Sequence, residues 1–174
     1  MDLDILFAIN SLAGKHIVLD NLAIFFAVWA IFALLIYLCA FALKSGKWFT
    51  VIAESIFAAI TAYGINALIG AFFFRYRPFV VHQLTQLIDH SSTDKSFPSD
   101  HTAIAFAIAT VITAYNRKAG IVALLIAFFI GLGRIYVGVH YPTDVIGGIV
   151  VGVCAGVLVV NIARMLLHSR RKTA

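Results

Sequence analysis

Apolar and polar positions fall in long blocks along this chain. Counted against the roughly 20 residues that a helix needs to cross a hydrocarbon core, the uncharged runs Leu22 to Leu43 and Ser55 to Phe74 are two spans. Thr102 to Asn116 is a third, short at 15 residues. Ala119 to Gly133, carried past Arg134 to Val139, is a fourth, and Val145 to Ala163 is a fifth. Residues 3–13 place Leu3, Leu6, Phe7 and Ile9 at helical spacing but cannot cross. They read as an amphipathic helix lying in the interface. Lipid admits only helices or closed barrels, and these runs are too long for barrel strands. The pattern therefore predicts an all-α, polytopic transmembrane helical bundle of about five spans plus an N-terminal interfacial amphipathic helix, as one domain over residues 1–174.

Composition agrees with a bilayer as solvent. Of 174 residues, 62% are hydrophobic and 12% charged, and the mean hydropathy is +0.99; a soluble domain carries about a quarter charged residues. The net charge of +5 invites a nucleic-acid reading. The basic residues sit in short clusters between apolar runs, with no stripe to track a phosphate backbone, so no nucleic-acid partner is expected. Cys39 and Cys154 each lie inside an apolar run and read as small buried hydrophobes. The start, Met1-Asp2-Leu3-Asp4, has no basic region ahead of an apolar core, so no cleaved signal is expected.

Charge then orients the spans. With five crossings, the N-terminus and the loops 75–100 and 138–144 share one face. The other face holds Lys44, Lys47, Arg117, Lys118, Arg164, Arg170, Arg171 and Lys172, eight of the thirteen basic residues, whereas seven of the eight acids fall on the first. Basic loops stay in the cytoplasm. The C-terminus is then cytoplasmic, and the two long loops face outside a plasma membrane. Gly148, Gly152 and Gly156 form a small-residue ladder on the fifth span, read as close packing within the bundle, with a homodimer seam as the other option.

Three polar clusters interrupt the apolar pattern, all on the outer face. Arg75-Tyr76-Arg77-Pro78-Phe79 ends the second span, Phe97-Pro98-Ser99-Asp100-His101 opens the third, and Arg134 to Asp144 joins the last two. Pro142 suits the first turn of a helix, which leaves His140 on the preceding loop and Asp144 in that first turn. A carboxylate there can fix one imidazole nitrogen and leave the other with a free lone pair, as a nucleophile requires; a structural His–Asp pair is the alternative. Arg134 lies about 22 Å into its span at 1.5 Å per residue. An arginine at that depth marks a functional site and has the donor fork that fits phosphate; snorkelling to headgroups is its alternative. Ser99 is placed to cap the third span, whose first-turn N–H groups form an anion site, with His101 beside it to protonate a leaving oxygen. Arg75 and Arg77 project from a helix end stopped by Pro78, where interfacial anchoring is the alternative. No carboxylate cluster has metal-ligand spacing, so no metal or other cofactor is expected.

Arg77-Pro78, then Pro98-Ser99-Asp100-His101, then Arg134-x5-His140-x3-Asp144 resembles the three-part signature of the type 2 phosphatidic-acid phosphatase superfamily. The likeness is closest to bacterial undecaprenyl-diphosphate phosphatases of the bacitracin-resistance type, through Pro-Ser-Asp-His, the amphipathic start and Gly138-Val139-His140-Tyr141-Pro142-Thr143-Asp144. The resemblance implies His140 as a nucleophile forming phosphohistidine, Asp144 orienting it, and His101 as acid and then base. Arg77, Ser99 and Arg134 would hold phosphoryl oxygens. It implies a lipid diphosphate substrate, with phosphatidate or phosphatidylglycerophosphate as the enzymatic alternative. A membrane transport or scaffold protein is the reading from another class. Two positions depart from the pattern. The lysine expected seven residues before Arg77 is Gly70, so Arg75 is expected to take its place among the phosphate-binding residues, and the serine before Arg134 is Gly133. Glu54 has no assigned role.

Overall fold

The computed structural model describes residues 1–172, with side chains described as far as Leu166. Arg170, Arg171 and Lys172 of the basic count therefore lie outside the described side chains. Every described element is helical. Helix α1 is Asp2–Asn10. Helix α2 is Ile17–Lys44, with a π-helical turn at Phe25–Trp29. Helix α3 is Trp48–Phe72, and a single turn, α4, covers Pro78–Val81. The rest are α5 (Asp100–Tyr115), α6 (Arg117–Tyr136) and α7 (Pro142–Lys172). Helices α2, α3, α6 and α7 are long and apolar enough to cross a membrane.

All five expected spans are helices, with shifted bounds. Helix α2 starts five residues earlier than expected because Asp20 does not interrupt it. The carboxylate turns inward, accepting the Gly14 N–H at 3.1 Å and the Tyr136 hydroxyl at 2.9 Å. Helix α6 stops at Tyr136 rather than Val139, because Gly138 turns the chain at φ +83°. A Cβ there would also lie 2.7 Å from the Thr85 carbonyl oxygen. Only glycine satisfies both conditions.

Helix α5 is short because it is central. At 16 residues it covers about 24 Å at 1.5 Å per residue, and it is buried on both flanks. Ala103, Ala107 and Val111 pack with Ala58 and Ala62 of α3 and Val151 and Ala155 of α7. Ala105, Ile108 and Ile112 pack with Leu34 and Leu38 of α2 and Ala127 and Ile130 of α6. A helix apolar all round is one buried all round. The Gly148, Gly152 and Gly156 ladder sets α7 directly on this central helix. Cβ atoms there would meet the backbone oxygens of Ser99, Ala103 and Ala107. Cys39 and Cys154, expected to be buried, are unpaired and face outward; in lipid that is still an apolar setting.

Two polar contacts close the far end of the bundle. Asn116 both ends α5 and caps α6, accepting the Ala119 N–H at 3.0 Å. Glu54, unassigned from sequence, accepts the Tyr115 hydroxyl at 2.9 Å and so links α3 to α5.

Candidate active site

The near end of the bundle is covered by α1 and the segment 73–99, which are pinned at several points. Asn10 donates to the carbonyls of Thr85 and Tyr136 and accepts the Thr85 N–H. Ser96 N–H donates to the Arg75 carbonyl at 2.8 Å, and Leu87 N–H to that of Val137. These bonds hold segment 73–99 over the mouths of α5, α6 and α7.

Beneath it lies a cavity of about 510 Å³ lined by Arg77, His101, Arg134 and His140. Arg77 precedes Pro78, which starts α4 and leaves the arginine extended at φ −66°, ψ 150°. Its Nη1 donates to the Val139 carbonyl at 3.0 Å and lies 3.2 Å from His140 Nε2. A guanidinium has no lone pair to offer, so Nε2 is the acceptor and Nδ1 carries the proton. Nδ1 faces Asp144 Oδ2 at 3.5 Å. Burial pushes the His140 imidazole well below the ordinary histidine range, and the charges of Arg134 and Arg77 push it further.

Asp144 is fully buried in the first turn of α7 and held from three sides. Oδ2 accepts the Ser96 hydroxyl and the Tyr141 N–H, the latter at 2.9 Å, and Oδ1 accepts Arg75 Nη1 at 3.0 Å. This is where Arg75 goes. Its other contacts are Thr143 at 2.7 Å, Asp2 at 2.8 Å and the face of the Tyr141 ring. It braces Asp144 rather than lining the cavity, so the structure does not place it with the phosphate-binding residues it was grouped with. Burial alone would raise the Asp2 carboxyl, but hydrogen bonds from Arg75 and Thr143 outweigh that and hold it below the usual range.

Arg134, near the end of α6, is buried and donates through Nη1 to the Ala27 carbonyl at 3.3 Å, within the π-helical turn of α2. Gly133 permits this approach, since a Cβ there would lie 2.9 Å from the Ala27 nitrogen. A serine at 133 would not fit without moving α2. Ser99 occupies the N-cap position of α5, but its hydroxyl makes no cap bond. It accepts from Thr102 at 3.0 Å, and its backbone N–H donates to the Asp144 carbonyl. Ser99 is fully buried and ties α5 to α7, and like Arg75 it is not among the residues that line the cavity.

Four charged or imidazole-bearing cavity residues carry no assignment from sequence: His90, Asp94, Lys95 and Asp100. Lys95 and Ser96 directly precede the Phe97–His101 cluster, and that adjacency was the available signal. His90 and Asp94 sit on a polar loop where nothing marks them. Burial pushes His90 down to about 4, reinforced by Arg77 and Arg134. Among the described residues, no three His, Cys, Asp or Glu side chains converge as a metal cage. Several buried donors in the cavity have no protein partner: Arg77 Nε, and Nε and Nη2 of Arg134. Buried polar groups are normally satisfied. Convergent, unsatisfied guanidinium donors beside a neutral imidazole suit an oxyanion.

Fold and cavity together define a helical membrane phosphatase, and comparison with known proteins gives the family. Residues 51–167 match the PAP2 superfamily, and the chain belongs to it. It is 37% identical over 173 residues to undecaprenyl-diphosphatase BcrC of Bacillus subtilis, covering 95% of this chain and 86% of that one. It is 31% identical over 161 residues, 91% of this chain and 79% of the other, to a Bacillus licheniformis protein named bacitracin transport permease protein BcrC. Among solved structures, Aquifex aeolicus LpxE superposes with a TM-score of 0.70 at 30% identity, over 92% of this chain and 94% of that one. The protein is a membrane-embedded phosphatase of the PAP2 type.

Proposed function

We propose that this phosphatase hydrolyses undecaprenyl diphosphate to the monophosphate at the outer membrane face, through a phosphohistidine on His140. The observation that carries the reading is the pairing of His140 Nε2 with Arg77 over unsatisfied donors of Arg77 and Arg134. A terminal phosphoryl group seated there would take over those donors, and the Nε2 lone pair would face its phosphorus. As the N–P bond forms, the bond from phosphorus to the bridging oxygen breaks. His101 gives that oxygen a proton, and the lipid monophosphate departs. His101 then takes a proton from water, whose oxygen displaces His140 and releases inorganic phosphate. Asp144, fixed by Ser96, Arg75 and Tyr141, holds the imidazole tautomer throughout. Phosphoryl transfer asks little more of a protein than this positioning and charge neutralisation.

The cavity wall supports a lipid substrate. Ile31, Tyr63 and Ile104 line it on the side between α2 and α3, and Tyr63 is also 56% exposed on the bundle surface. Tyr63 lies nine residues before Phe72, so the cavity reaches about 14 Å below the end of α3. A headgroup can dock there while its tail stays in lipid. A transport path would need polar groups through the rest of the bundle. Instead, apart from Glu54 and Ser55 toward the far end, the interior beyond the cavity is Leu34, Val51, Ile112, Ala123 and their neighbours. The similarity to undecaprenyl-diphosphatase BcrC favours a polyprenyl diphosphate over a glycerolipid. Phosphate release by purified protein, with polyprenyl diphosphate and phosphatidate in competition, tests this. Preferred turnover of the diphosphate is expected, and preference for phosphatidate would replace it with the glycerolipid reading. Acid-labile phosphate trapped on the wild-type chain but not on His140→Ala would identify the intermediate.

A further inference from the structure

Gly70 leaves bare backbone beside the cavity near the end of α3, and a distant residue covers it. A Cβ built on Gly70 would fall on Lys95 Cδ and lie 2.9 Å from its Cε. Lys95 thus lays its stem along the groove that a side chain at position 70 would fill. Its side chain is 18% exposed, and its ammonium reaches Asp100 Oδ1 at 2.8 Å and the Pro98 carbonyl at 2.9 Å. An ammonium has three N–H donors, and these contacts occupy two. The residue lines the same cavity as Arg77, His101, Arg134 and His140. Asp100 does not depend on it, because Asn66 Nδ2 also donates to Oδ1 at 2.8 Å. Arg75, the residue expected in this role, is engaged by Asp144, Asp2 and Thr143.

We propose that Lys95 is a phosphate-binding residue of this site, its ammonium carried across Gly70 to present the third donor to a phosphoryl oxygen. This rests on the phosphatase reading. It supplies the cavity with a third fixed positive charge, from a loop instead of from α3. The charges of Asp94 and Asp100 otherwise offset those of Arg77 and Arg134. A diphosphate headgroup in that cavity needs a surplus cation, and Lys95 provides it.

The test uses the full chain in detergent, with phosphate release from a polyprenyl diphosphate and inorganic phosphate as competing inhibitor. Lys95→Met keeps the stem over Gly70 and removes only the charge. It should lower kcat/KM about 10- to 100-fold, as loss of a hydrogen bond to a charged group does. It should also weaken inhibition by inorganic phosphate and leave the melting temperature in place. Gly70→Lys should recover activity lost in Lys95→Ala, by returning an ammonium from α3 through the vacated groove. Wild-type kcat/KM and phosphate inhibition in Lys95→Met would overturn the proposal. So would recovery of Lys95→Met on adding Asp100→Asn, which would limit the lysine to neutralising that carboxylate. Absence of turnover in the wild-type chain would instead remove the phosphatase reading itself.

Discussion

Burial and the guanidinium groups of Arg134 and Arg77 hold the His140 imidazole well below the ordinary histidine range. It therefore meets a substrate with Nε2 unprotonated through neutral and mildly acid pH. The acid limb of kcat/KM, which reports the free enzyme, should lie below the usual histidine value of about 6.5; a limb centred at that value would contradict the burial. The same groups make folding pH-dependent. A histidine lowered on folding binds its proton more readily when unfolded, so its contribution is present above about 6.5 and is lost as pH falls. For His90 the window runs from there down to about 4. The melting temperature in detergent should fall between pH 7 and 5, and His90→Asn should flatten part of that slope. Removing the reacting groups tests their roles directly. His140→Ala should cost at least about a thousandfold in kcat, and His101→Ala roughly 10²- to 10⁴-fold, each with the bundle still folded. Near-normal turnover in either variant would end its assigned role.

Helix α5 carries His101 at its first turn, and its position depends on how closely α7 can lie against it. Gly152 decides that spacing, because any Cβ there meets the Ala103 carbonyl oxygen. Gly152→Val should destabilise the protein by about 1–3 kcal/mol, the usual cost of overpacking, or disrupt the bundle. A wild-type melt for this variant would mean that the two helices tolerate separation. The bundle's apolar runs and their breaks were legible in the sequence, and so was the glycine ladder. The start of α2 was not. Asp20 has the same one-letter signature as a residue that keeps a helix out of lipid, and only its bonds to Gly14 and Tyr136 show it turned inward. The two cysteines were misjudged for a related reason: an apolar run in a bilayer protein has no polar face to mark which side is buried. Cys39 and Cys154 face outward.

At the scale of the whole molecule, the α1 end and the site-bearing loops share one end of the bundle, and the turns at 45–47 and 116 share the other. The excess of Lys and Arg on the second end predicts that it is cytoplasmic. A C-terminal tag should resist protease added to intact cells, and its ready cleavage would invert the orientation. A histidine nucleophile with guanidinium clamps needs no metal, so turnover should persist in excess chelator; rescue by an added divalent cation would count against the phosphohistidine route.

Some of this protein was determined by its sequence alone. Uninterrupted apolar runs must become helices in lipid, because backbone groups there have no other partner. A charged or imidazole side chain at the end of such a run is costly enough to stand out, and that singled out Arg77, His101, Arg134, His140 and Asp144. Lys95, His90 and Asp94 lie on a polar loop, where charge costs nothing, and only Lys95 has a mark, its adjacency to the Phe97–His101 cluster. Only the folding of segment 73–99 over the helix mouths brought them into the cavity. The same folding turned Arg75 toward Asp2, Thr143 and Asp144. Those partners come from opposite ends of the chain, and no local spacing encodes their meeting.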